Sequence, residues 1–168
     1  MKKTIFIFAL IGLALVSCKK KDKDPEPEPE PTPTNYNLTY MVDGVTINCT
    51  DGKGTADGWF TIDGKDVNNP TTRYFRIILP LYDSIKVTTY YLAEHPEYPK
   101  ATAYYLDYML TGENEFESKD GSPTTDKITI TKFDKTAKKI SGTFNFSLED
   151  DNGAKKVFTN GTFTDLTW

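Results

Sequence analysis

The sequence predicts an all-β fold, a single antiparallel β-sandwich or barrel of about nine strands, with the sandwich as first choice. Three observations lead there. Apolar and polar residues alternate along most of the chain after residue 34, the period of a half-buried strand. Turn residues punctuate that alternation roughly every 8–12 positions. No window of about eleven residues carries an apolar stripe of helical period.

Two segments precede this pattern and cannot join it. Lys2 and Lys3 open residues 1–17, and an apolar run from Ile5 to Val16 follows. As a helix that run would rise about 18 Å, whereas spanning a bilayer takes roughly 20 apolar residues. A basic start, a short apolar core and a small-residue end make an export signal. Its last residues, Leu15-Val16-Ser17, lead into Cys18, and this run resembles the lipobox of bacterial lipoproteins. The resemblance implies cleavage before Cys18, a diacylglyceryl group on its thiol and acylation of its new α-amine. It places the chain at the outer membrane, held by lipid, on the periplasmic face or at the cell surface. Two or more acyl chains anchor stably where one is marginal.

Residues 18–34 then read as a lipidated cysteine and a disordered stalk. Pro25, Pro27, Pro29, Pro31 and Pro33 interrupt a run of Glu and Thr. Proline fixes φ and removes donors, so the segment favours extended polyproline II and reaches up to roughly 50 Å. Of 20 Lys/Arg and 24 Asp/Glu, only Lys2 and Lys3 fall within residues 1–17, so cleavage takes the formal charge from −4 to −6. That balance argues against a nucleic-acid partner. Lipidation of Cys18 leaves Cys49 without a disulfide partner. Cys49 shares strand parity with Val45 and Ile47, which points it into the core.

Residues 35–168 form the β-domain. Strands are expected over 37–43 and 45–50, where Leu38, Tyr40 and Val42 flank the two-residue hairpin signal Asp43-Gly44. Segments 58–63, 73–81 and 85–92 follow, with Phe75, Ile77, Leu79 and Leu81 sharing one face. In 101–111 the expected apolar face is Tyr104, Leu106, Tyr108 and Leu110. Segment 127–133 leads to 139–149, where Ile140, Gly142, Phe144, Phe146 and Leu148 share a face. Asp151-Asn152-Gly153 turns the chain into the last strand, 156–166.

The run Lys127-Ile128-Thr129-Ile130-Thr131, then Ile140-Ser141-Gly142-Thr143-Phe144-Asn145-Phe146, then Thr159-Asn160-Gly161-Thr162-Phe163-Thr164 resembles a family. These are small all-β lipoproteins of Bacteroidota grouped under a domain of unknown function. The resemblance implies the fold and supplies no catalytic residue.

Candidate chemistry is sparse. His95 is the only histidine, in the proline-rich stretch Glu94 to Pro99, and no second His or available Cys completes a zinc set. Asp51 to Gly58 has calcium-loop spacing but puts Lys53 where an oxygen ligand belongs, so it reads as a turn. Glu113, Glu115, Glu117, Asp120 and Asp126 crowd what reads as an acidic loop. Neither a metal nor another cofactor is expected. Tyrosines give the best hint: Tyr90, Tyr91, Tyr104, Tyr105 and Tyr108 form a candidate binding face, since exposed tyrosines suit sugar rings and protein partners. Asp83-Ser84-Ile85 resembles the Asp-Ser/Thr-apolar motif of exported Bacteroidota proteins, which implies O-glycosylation of Ser84. The sequence thus predicts a non-enzymatic envelope domain that binds a glycan or a protein. A hydrolase with carboxylates contributed by loops is the alternative, and a structural envelope component the third.

Overall fold

A computed structural model describes residues 36–49, 52–69, 73–92, 99–107, 115–119 and 125–168. Within them the chain forms eleven strands and one short 3-10 turn. The strands are β1 (Leu38–Val42), β2 (Val45–Cys49), β3 (Lys53–Asp57), β4 (Trp59–Lys65) and β5 (Arg73–Leu81). The 3-10 turn Tyr82–Ser84 leads to β6 (Thr89–Tyr91), β7 (Thr102–Asp107) and β8 (Glu115–Glu117). The last three are β9 (Lys127–Asp134), β10 (Lys139–Glu149) and β11 (Lys155–Thr167).

All-β and antiparallel are the right class, but one sheet takes the place of two. The order is β2-β1-β11-β10-β8-β7-β5-β4-β3, and β9 and β6 branch from β10. β10 changes partner along its length, pairing with β9 from Lys139 to Asn145 and with β8 at Glu149. The ends of the path, β2 and β3, are neighbours in sequence. The Asn37 side chain donates to the Gly52 carbonyl (3.1 Å), and the Val67 N–H donates to the Asn48 carbonyl (2.9 Å). The sheet therefore curls into a half-barrel around one core.

Aromatic rings fill that core. Phe75 stacks on Phe144 at 5.1 Å, and Tyr40 lies 4.9 Å from Phe75. Phe60, Phe133 and Trp168 form a second cluster, with Phe60 edge-on to both (5.6 and 5.1 Å) and Tyr82 beside it. This cluster marks one end of the half-barrel. It gathers the starts of β4 and β10 with the ends of β5, β9 and β11, and β1 begins there as well. At the opposite end lie the 43–44 turn and the 150–154 turn.

Several expectations hold at the residue level. Asp43 (φ 49°) and Gly44 (φ 82°) make the hairpin turn between β1 and β2, the left-handed pair that suits strand twist. Ile140, Gly142, Phe144, Phe146 and Leu148 all face inward, and Cys49 is fully buried.

Other expectations need correction. Asp51 to Gly58 is not merely a turn, because Lys53–Asp57 forms β3 against β4. Part of the expected acidic loop is β8, where Phe116 is buried between Glu115 and Glu117. Of the strand expected over 85–92 only Thr89–Tyr91 pairs as a strand. On β7 the face is reversed: Ala103, Tyr105 and Asp107 point inward, while Tyr104 and Leu106 are half-buried outside. The cause is register. Ala103 and Tyr105 lie opposite the inward Ile77 and Phe75 of β5, and Asp107 lies opposite Arg73. Leu81, opposite Trp59 at the sheet's margin, is exposed instead of joining Phe75, Ile77 and Leu79.

Candidate functional site

Each residue singled out by sequence has a definite placement where it is described. Cys18, His95, Tyr108, Glu113 and Asp120 lie outside the described residues. Ser84 closes the 3-10 turn and is exposed, between the exposed Asp83 and the buried Ile85. Asp83 accepts from Lys135 Nζ at 3.3 Å. Ser84 also lines a groove of about 730 Å³ with Lys86, Val87, Thr88, Tyr90 and Pro99.

The tyrosines do not share one exposed face. Tyr90 and Tyr105 are each 1 % exposed and belong to the core. The Tyr90 hydroxyl accepts from the Lys86 N–H (2.8 Å) and donates to the Lys86 carbonyl (3.2 Å), so it pins residues 86–90. Burial raises its pKa. The Tyr105 hydroxyl donates to Asp107 at 3.4 Å, and its ring meets Phe158 edge-on at 5.2 Å. Burial, then the Asp107 charge, raises its pKa. Tyr91 and Tyr104 are half-buried. Tyr91 exchanges backbone hydrogen bonds with Pro99 and Ala101 (3.2 and 2.8 Å), whereas Tyr104 sits on the outer face between Arg76 and Glu117.

That outer face carries the site that sequence reading missed. A single register row crosses seven strands: Lys53, Asp63, Arg76, Tyr104, Glu117, Glu149 and Lys155 lie opposite one another in turn. The basic half of the row borders a groove of about 290 Å³, lined by Lys53, Asp63, Gly64, Lys65, Tyr74 and Arg76. Asp63 faces outward from β4, yet Tyr74 and Arg76 cover it. Tyr74 donates to Asp63 Oδ1 at 2.6 Å. Arg76 Nε reaches the same oxygen at 2.6 Å, and its Nη2 reaches Oδ2 at 3.3 Å. The Arg76 guanidinium also lies 5.3 Å from the Tyr74 ring centre. The Asp63 hydrogen bond raises the Arg76 pKa above its already high ordinary value. Burial, then the bond to Asp63, pushes the Tyr74 phenol up. The groove therefore presents a flat aromatic ring, an oriented guanidinium and two ammonium groups. The only sequence signal for it was period-two spacing of Tyr74 and Arg76, which also fits an ordinary solvated strand face.

The acidic half of the row lines a smaller groove of about 220 Å³ with Glu115, Glu117, Glu149 and Asp151. Lysines balance part of it: Lys119 bonds Asp151 (2.9 Å) and Lys155 lies 3.5 Å from Glu149. The Lys119 bond holds the Asp151 carboxyl below its ordinary pKa.

A further polar cluster lies inside. Asp66 is 1 % exposed and accepts from the Asn68 N–H (2.9 Å), Asn69 Nδ2 (3.2 Å) and Arg73 Nη1 (3.3 Å). Arg73 Nε is 3.3 Å from Asp107, although its direction there does not make a hydrogen bond. The Tyr40 hydroxyl, near Asp66 and Tyr105, is buried with no hydrogen-bond partner among the described residues. Among the described residues no three His, Cys, Asp or Glu side chains converge to hold a metal ion.

No curated protein and no solved structure matches the chain. A family profile does, over residues 41–167, which takes in every strand except the start of β1. The chain belongs to the family described as Domain of unknown function (DUF6252).

Proposed function

We propose that this chain is an outer-membrane lipoprotein, anchored through Cys18, whose β-domain is non-enzymatic and binds a glycan or a protein partner in the cell envelope. The observation that carries the binding role is the outer groove of Lys53, Lys65, Tyr74 and Arg76. An aromatic ring beside a fixed guanidinium and two ammonium groups suits a sugar ring bearing a carboxylate, or an acidic protein segment. Pro25 to Pro33 form a spacer between anchor and domain. Ser84 is a proposed O-glycosylation position, and its exposure supports that reading. A native-host protein whose intact mass carries no sugar would remove it.

The test is titration of the domain with uronate-bearing and neutral oligosaccharides, alongside pull-down from envelope extract. Binding is expected for an acidic partner. A Lys53→Gln variant should bind roughly tenfold or more weakly, the worth of one lost charged contact. No binding to any envelope polysaccharide or protein would overturn the reading.

The acidic groove favours a second reading, a hydrolase using carboxylates. Glycoside hydrolysis needs one carboxyl kept protonated as acid beside a second kept ionised. Lys119 holds Asp151 ionised, which suits only the second of those roles. Turnover of an envelope polysaccharide, abolished by Glu117→Gln, would establish this reading in place of the first.

A further inference from the structure

We propose that the Trp168 end of the half-barrel is a membrane-docking face, so that the domain rests on the bilayer to which Cys18 ties it. This rests on the lipoprotein reading above and goes beyond it, because an anchored domain on an extended stalk could equally stand clear of the lipid.

Among the described residues, three of the five exposed large apolar side chains gather at this end. Trp59 (59 % exposed) and Leu81 (52 %) lie directly opposite each other on β4 and β5, and Val87 (60 %) follows the 3-10 turn that leaves β5. At the same end Tyr82, Phe133 and Trp168 are only partly buried, with Phe133 stacked on Trp168 at 5.1 Å. Isolated exposed apolar residues need no explanation. A Trp-Leu pair at the same end as three part-exposed aromatics is more than that.

Lysines rim the patch. The β9–β10 hairpin brings Lys132, Lys135, Lys138 and Lys139 to this end. Lys135 Nζ lies 4.8 Å from the Tyr82 ring centre and 3.3 Å from Asp83, while Lys132 and Lys139 share Asp165. Their long stems can lie along apolar surface while the ammonium groups meet headgroup phosphates. Aromatic side chains with lysines around them are the composition of a membrane–water boundary. At the opposite end Glu115, Glu117, Glu149 and Asp151 crowd one groove, with Lys119 and Lys155 beside them.

The chain's point of entry agrees. The Asn37 carbonyl accepts from the Thr164 N–H at 2.9 Å, so Tyr36 lies at the Trp168 end. Seventeen residues separate Tyr36 from Cys18, so the tether reaches the domain on the side of the apolar patch. An amphipathic face of this kind buries about 5–10 Å into the headgroup boundary.

The test uses the mature lipidated chain on vesicles of phosphatidylethanolamine and phosphatidylglycerol, with and without lipids brominated near the headgroup. Two measurements are read together, flotation with the vesicles and tryptophan emission. The chain has 2 tryptophans, and both lie at this end, Trp59 exposed and Trp168 partly buried against Phe133. Contact through this face should therefore quench about half the emission or more. Trp59→Phe should lower the quenching at least about twofold while flotation persists. A chain that floats with unquenched emission overturns the docking face and leaves the anchor standing. That is also the outcome if the patch serves a protein partner. A chain that does not float overturns both.

Discussion

Tyr40 and Tyr105 show what a hydroxyl contributes in this core. Both rings are buried to 1 % exposure, but among the described residues Tyr105 has a hydrogen-bond partner, Asp107, and Tyr40 has none. Removing a satisfied buried hydroxyl costs about 1 kcal/mol, whereas removing an unsatisfied one is neutral or favourable. Tyr105→Phe should therefore lower the urea midpoint, and Tyr40→Phe should leave it level or raise it. Gly161 is a steric case. It lies opposite Phe144, whose ring occupies the space a Cβ would need. Gly161→Ala should cost roughly 1–3 kcal/mol, the usual penalty for overpacking, read as a lower denaturation midpoint with no change in slope. Some of this was legible in sequence. Cys49 and the inward face of β10 follow from parity alone. The reversed face of β7 does not, because its Tyr104, Tyr105 and Leu106 could each be buried. Only the pairing of Tyr105 with Phe75 and of Asp107 with Arg73 chooses between the two faces.

At the scale of elements, buried carboxylates and bulges decide what spacing leaves open. Asp66 accepts three hydrogen bonds, from Asn68, Asn69 and Arg73. Asp66→Ala should cost about 2–3 kcal/mol. That is below the 3–5 of a fully buried broken pair, because Arg73 keeps some contact with water. Faster amide exchange at Arg73, whose N–H bonds the Asn69 carbonyl, would check it. Asp165 ties three strands, reaching Lys132 on β9 (2.9 Å) and Lys139 (3.5 Å) and Ser141 (3.3 Å) on β10. The Lys132 bond, the largest influence, holds its carboxyl below the ordinary value of 3.8. A carboxyl lowered on folding stabilises fully above its unfolded pKa and loses that effect as pH falls through the folded one. Asp165→Asn should therefore destabilise at pH 7 and make less difference below about pH 4, which denaturation at both pH values would show. Asn160 and Asp165 (φ 52° and 48°) sit in β11, whose register with β10 slips nearby. As a result Phe158, Gly161, Phe163 and Leu166 all point inward across irregular spacing. The same irregularity hides the strand's inner face from a strict period-two reading. β3 and β8 were hidden for another reason. Each is short and polar, and exists because a neighbouring strand offers an edge.

The whole molecule was more legible in class than in function. Alternation and turns announced an antiparallel β-domain, and the C-terminal runs pointed to a family of unknown function. The curl of one sheet into a half-barrel was not readable, since it depends on β10 serving two neighbours and on β2 meeting the β3–β4 side. The tyrosine-rich stretch misled because tyrosine serves equally as core filler and as binding surface. The outer groove drew Tyr74 and Arg76 from a different strand. On this account the two ends of the domain have different roles, an apolar end beside the chain's entry and an acidic end away from it. All of that presupposes the anchor at Cys18. The most direct measurement is the intact mass and N-terminal sequence of the mature protein purified from its native membrane. The account predicts a chain beginning at Cys18 that carries a diacylglyceryl group and loses its membrane association on Cys18→Ala. A mature chain that begins elsewhere, or a Cys18 with an unmodified thiol, would contradict it.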